Sequence, residues 1–148
     1  MVRTITEWQV VAMNCWKIRT RPSGECISAA FPGIDDDIAA FIQNLRNFEI
    51  SPSEARAISG VFFCYSEVVK DFCLLPCMRA ALVNRQETDV TVMLIAKHVS
   101  KLGQQEIMDR FSNEEVHVIH DYFRLIGALR GFLHPGEATA IEACNHAN

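Results

Sequence analysis

Four side chains late in the sequence, Glu114, His117, His120 and Asp121, are of the types that ligate metal ions. Glu114-x-x-His117 sets a carboxylate and an imidazole on one helical face, the spacing used in carboxylate-bridged di-iron sites. Such a site needs that pair twice, together with two further inward carboxylates. The sequence has no second Glu-x-x-His and no His-Glu-x-x-His. A helix start carrying surface acids and imidazoles is the plainer reading, so no metal and no other cofactor is expected. Metal-dependent catalysis by this quartet stays as the alternative.

Nucleophiles are equally bare of context. Cys73-x3-Cys77 could set two sulfurs on one side of a helix, but Pro76 interrupts regular geometry between them and no Cys-x2-Cys accompanies them. A redox pair would have two intervening residues and a preceding strand. There is no Gly-x-Ser-x-Gly, and the 7 glycines are scattered, so neither a nucleophile elbow nor a phosphate-cradling loop is present. His98, beside Lys97 in an apolar run, reads as a boundary residue rather than a base. His134 before Pro135 reads as a helix terminus, and His146 as tail. The expectation is a protein that is not an enzyme, with no catalytic residues.

The charge is compatible with a basic protein partner. Asp35, Asp36 and Asp37 form one acidic run, and Glu114 with Glu115 a second. Both fall where first helical turns are expected. There carboxylates face unpaired amides and the positive end of the helix dipole, which is their plainer role. They are also the residues expected to meet a basic partner, since complementary charge speeds encounter and fixes register. The chain as a whole carries 14 Lys and Arg against 18 Asp and Glu, a net charge of −4. That balance argues against nucleic acid or anionic lipid, which need a basic surface.

The elements that must hold these groups are helical. With 148 residues, 49% hydrophobic and 22% charged, the chain has the length and make-up of one globular domain, 1–148, with its own core. Capping boxes are written at Thr4…Glu7, at Ser51…Glu54 with Pro52 in the first helical position, and at Ser112…Glu115. They predict helices over 5–18, 51–63 and 113–130. A strand across Val10 to Ile18 is the competing reading of the first. Short apolar periodicities predict helices after Ser23 and over 36–47. A further short helix runs from Ser66 to Phe72, and Pro76 restarts the chain as another to Val83. After a polar turn at 84–88, residues 89–101 form the most apolar helix, with Val90, Met93, Leu94, Ala96, Val99 and Leu102 in the core. A turn or short helix at 104–109 and a last helix over 136–145 complete an all-α domain of about seven to eight helices. The Phe residues read mainly as core, with a subset exposed as an interaction patch.

No apolar run approaches the roughly 18 residues of a membrane span, and Glu7, Gln9 and Asn14 interrupt any signal-peptide core. A cytoplasmic protein is expected, with Cys15, Cys26, Cys64, Cys73, Cys77 and Cys144 as reduced, structural thiols.

Three segments in order carry a resemblance. Phe31-Pro32-Gly33-Ile34-Asp35-Asp36-Asp37-Ile38 leads to Leu45-Arg46-Asn47-Phe48-Glu49-Ile50. Phe72-Cys73-Leu74-Leu75-Pro76 is followed by the small-residue stretch Met78-Arg79-Ala80-Ala81-Leu82. Phe111-Ser112-Asn113-Glu114-Glu115 opens the last long helix. Across about 25–129 this resembles a family of small helical bacterial proteins of uncharacterised function, some associated with immunity against secreted toxins. Two departures stand out: Phe48 where the family pattern has Trp, and Phe72 and Cys73 where it has tyrosines. The resemblance implies no catalytic residues. It implies an immunity-type protein that neutralises a bacterial toxin, a basic toxin domain, by direct binding. A self-associating adaptor using exposed aromatic residues is the third possibility.

Overall fold

The computed structural model describes residues 4–19, 22, 42–43, 45, 48–58, 67–83 and 89–145. All three written capping boxes form. Thr4 Oγ1 accepts from the Glu7 amide (3.2 Å) while Glu7 Oε2 accepts from the Thr4 amide (2.9 Å), starting α1, Ile5–Trp16. Ser51 and Glu54 exchange the same pair of bonds at α2, Pro52–Ile58. Ser112 and Glu115 do so at α5, Asn113–Arg130, where the helix has the bounds expected. The strand alternative at Val10–Ile18 is not found. Trp8, Ala12, Cys15 and Trp16 are buried together, at the three- and four-residue spacing of a helix face.

Among the described residues there are six helices and no strand, against the seven to eight expected. Part of the difference is a correction. The break expected at Pro76 does not occur, and α3 runs unbroken over Glu67–Val83 with Pro76 inside. Proline removes one backbone bond and crowds the carbonyl four residues back. Here every residue from Asp71 to Leu82 is buried, and packing on all sides outweighs that local cost. The helices expected after Ser23 and over most of 36–47, residues 59–63 and the turn at 84–88 lie outside the described residues.

A second difference concerns the long helix. α4 covers Asp89–Arg110 and contains one residue with non-helical backbone, Gly103 (φ 72°, ψ 170°). That combination is open essentially to glycine alone. Gly103 therefore divides α4 into an 89–102 part and a 104–110 part with different surroundings. The last helix, α6, spans Pro135–Cys144.

Side chains of α1, α3, α4, α5 and α6 share one apolar cluster. Two indoles cross-link it. Trp8 Nε1 donates to Val118 O (2.8 Å), tying α1 to α5, and Trp16 Nε1 donates to Asp71 O (3.0 Å), tying α1 to α3. Trp8 also packs against the Tyr122 ring, and Trp16 against Phe111. A buried indole brings a large apolar area and a donor that must find an acceptor. α4 lies chiefly against α6, and α5 packs on both α6 and α1. No described helix is long and apolar enough to cross a membrane.

Candidate functional site

Among the described residues, an open and mostly apolar surface lies where the first part of α4 faces the start of α6. Along α4, Val90, Met93, Lys97 and Lys101 recur every three or four residues on one outward stripe. The opposite wall is the turn between α5 and α6, carrying Phe132 and His134. Together they bound a groove of about 930 Å³ whose lining is mostly apolar. Val90 is 52% exposed, Met93 59% and Phe132 54%. Val90 and Met93 thus depart from the core position expected of them. Thr91, Val92, Leu94, Ile95, Ala96, His98 and Val99 are buried, and they already fill the side of α4 that its neighbours cover.

The turn that presents Phe132 is held from below. Gly131 ends α5 with φ 92°, donating to Gly127 O (2.7 Å), a left-handed cap that suits glycine. Gly127 lets Leu133 close in: a β-carbon there would lie 2.8 Å from Leu133 Cδ2. Arg130 pairs with Glu137, which is 1% exposed and also accepts from the His134 amide (2.8 Å). The Phe132 ring lies over the Arg130 guanidinium at 5.0 Å. Ser100 Oγ donates to Gly136 O (2.7 Å), bolting the start of α6 to α4. The groove is therefore built on fixed elements rather than on a loose loop.

The charged residues gather elsewhere. Past Gly103, Arg110 grips Asp71 with two bonds, Nη2 to Oδ1 (2.6 Å) and Nε to Oδ2 (3.1 Å). Its Nη1 lies 3.3 Å from Glu67 and 3.6 Å from Glu106. Arg19 forks onto Glu115 in the same way, donates to Arg110 O (3.0 Å) and lies over the Phe111 ring at 4.8 Å. His98, expected as a boundary residue within this helix, is buried with Nε2 3.9 Å from Asp71 Oδ1. The depression beside this junction, about 350 Å³, is lined by the paired groups themselves.

The residues singled out from the sequence separate. Asp35, Asp36 and Asp37 lie outside the described residues. Glu115 is 6% exposed, its carboxylate held by the Ser112 amide and Arg19. Glu114, one position earlier, faces solvent, and its Oε2 accepts from the Cys15 thiol (3.8 Å). Cys15, Glu114 and His117 line a depression of about 230 Å³ between α1 and α5, a neighbourhood the sequence does not announce because Cys15 comes from 99 positions away. The metal quartet does not converge: His120 bonds Asn145 Oδ1 through Nε2 (2.9 Å) and lies beside Asp121 (3.6 Å), two turns from Glu114. Among the described residues no group of three His, Cys, Asp or Glu is placed to hold a metal ion.

Cys15, Cys73, Cys77 and Cys144 are buried thiols, none of them in a disulfide among the described residues. Burial pushes the Cys73 and Cys144 thiols up to about 12. Cys77 is raised well above its ordinary value, by burial and then by Cys73 beside it. A thiol held protonated at neutral pH is a poor nucleophile. Burial likewise raises Tyr122, with the Glu137 carboxylate adding to it. Compared with protein-family models, with curated proteins and with solved structures, the chain gives no significant match to any of the three.

Proposed function

We propose that this chain is a protein-binding domain of the immunity type, which neutralises a bacterial toxin by occupying it, without breaking or forming a bond. The observation that carries this reading is the groove between α4 and α6. Three large side chains, Val90, Met93 and Phe132, stand more than half exposed on one concave surface. Apolar area left in water forfeits about 25 cal/mol per Å², and contiguous patches of this kind mark interaction sites.

The charges give the reading its second support. At the Arg110 and Arg19 junction they are tied to one another. Of the two described members of the acidic set expected to meet a basic toxin domain, Glu115 is buried against Arg19 and Glu114 remains outward. Long-range attraction by such acids sets the rate of encounter, and the groove supplies the area that holds the complex.

The test pairs capture with protection. The tagged full-length chain is expected to hold a stoichiometric partner from its native host, and co-expression with that partner alone is expected to restore growth that the partner abolishes. Met93→Glu is expected to lose both. Protection that persists with Met93→Glu, or a partner that stays toxic inside the complex, overturns the reading.

A further inference from the structure

We infer that a second copy of this chain covers the α4/α6 groove, with the two α4 helices packed antiparallel about a twofold axis. The groove carries its apolar points on both walls, Val90 and Met93 on α4 and Phe132 on the turn opposite. A helix with apolar side chains three or four positions apart suits such a groove. α4 itself is a helix of this kind, because Val90 and Met93 both stand more than half exposed on its outward stripe. A surface that is at once groove and helix can be its own partner, which is what a twofold interface requires.

Charge sets the direction. Arg130 and Glu137, at the edge of the groove, close on each other, and Lys97 is engaged within its own chain. The other exposed charges on the α4 wall are Asp89 at one end and Lys101 at the other, about 18 Å apart at the helical rise. They cancel in sum, so their order along the helix is what discriminates. An antiparallel copy brings Asp89 of each chain level with Lys101 of the other, and the twofold makes that match twice. A parallel copy would set Asp89 beside Asp89 and Lys101 beside Lys101, two pairs of like charge. The antiparallel match puts the axis level with residue 95, so Met93 of each copy lies within about 3 Å of it along the helix, at the centre of the contact. Each chain carries a net charge of −4, which opposes association, so a dimer that dissociates on dilution is expected. The inference shares the groove with the toxin reading without resting on it; the second copy and a toxin would exclude one another there.

Sedimentation of the full-length chain from about 1 µM to about 1 mM tests this. The parent chain is expected to pass from monomer to dimer across that range. Met93→Glu, Asp89→Lys and Lys101→Asp are each expected to weaken the dimer about tenfold or more. The double variant Asp89→Lys/Lys101→Asp exchanges the two charges and is expected to recover most of the loss, which a parallel pair would not. Mixed in equal amounts, the two single charge variants are expected to pair with each other more tightly than either pairs with itself. A monomer at every concentration, a dimer indifferent to Met93→Glu, or a double variant no tighter than the single ones overturns the inference. If the chain stays monomeric while Met93→Glu still loses the toxin complex, the second copy is wrong and the protein-binding reading stands. If the dimer behaves as expected while Met93→Glu still protects against the toxin, the second copy stands and the immunity reading falls.

Discussion

The two parts of α4 meet opposite fates. Beyond Gly103 the helix ends in Arg110, whose guanidinium is surrounded by Asp71, Glu67 and Glu106, with the Arg19–Glu115 pair beside it. Before Gly103 the same helix leaves Val90 and Met93 in water opposite Phe132. Charges can satisfy one another inside a chain, because each pair closes on itself through directed bonds. Apolar side chains have no such internal solution; only a covering surface removes them from water. A junction of closed pairs therefore describes how this protein holds itself together, while the groove leaves apolar side chains exposed among the described residues.

The largest effect is expected at the junction. Arg110→Ala leaves the buried Asp71 carboxylate without its main partner and is expected to cost about 3–5 kcal/mol in urea denaturation. The double change Asp71→Leu/Arg110→Met is expected to recover most of that loss, since apolar replacements of similar size need no pairing. A cost for Arg110→Ala no greater than that of an exposed residue would erase the distinction between the two regions.

Next comes the boundary between them. A β-carbon at Gly103 meets nothing within 4 Å, so crowding is not the obstacle. The backbone is: Gly103→Ala is expected to lose about 1–3 kcal/mol through strain alone. A neutral result would mean that the two parts of α4 need no break.

The core thiols sharpen the comparison through pH. The folded protein keeps the Cys73 and Cys144 protons up to about 12, whereas the unfolded chain releases them near 9.0. The unfolded state then binds fewer protons, so this contribution is whole below pH 9.0 and is lost as pH rises toward 12. The urea midpoint is expected to fall less steeply over that window in Cys73→Ala/Cys144→Ala than in the parent chain. Thiol titration of the native protein at neutral pH is expected to be slow at Cys73, Cys77 and Cys144, and fast in denaturant.

The groove is expected to barely register in stability. Met93→Glu exchanges two good helix formers on an exposed stripe and is expected to shift unfolding by no more than about 0.5 kcal/mol. A shift several times larger would make Met93 a core residue. Smallest of all is the change expected from replacing Asp35, Asp36 and Asp37 by Asn. If the proposed basic partner exists, association with it is expected to slow and its dependence on salt to flatten.

Much of this fold was legible because its signals are short. A capping box needs two side chains three positions apart, and Thr4–Glu7, Ser51–Glu54 and Ser112–Glu115 all closed as written. The 113–130 helix was marked at its start by Ser112, while its left-handed cap at Gly131 is a finding of the structure. The candidate site was not legible, since it depends on which neighbours arrive. The periodicity that marks Val90 and Met93 as apolar is the same whether or not a helix covers them. The signal that could have found the groove was an excess: α4 carries more apolar arc than one neighbouring face can cover.

What the sequence determined on its own is the helical character of the chain and the places where most of its helices begin, since those rest on bonds between residues a turn apart. What only the tertiary structure decided is the passage of α3 through Pro76, the separation of buried Glu115 from exposed Glu114, and the open groove. Burial and long-range pairing are properties of surfaces that meet: Arg19 reaches Glu115 across 96 positions, and no local pattern contains that distance.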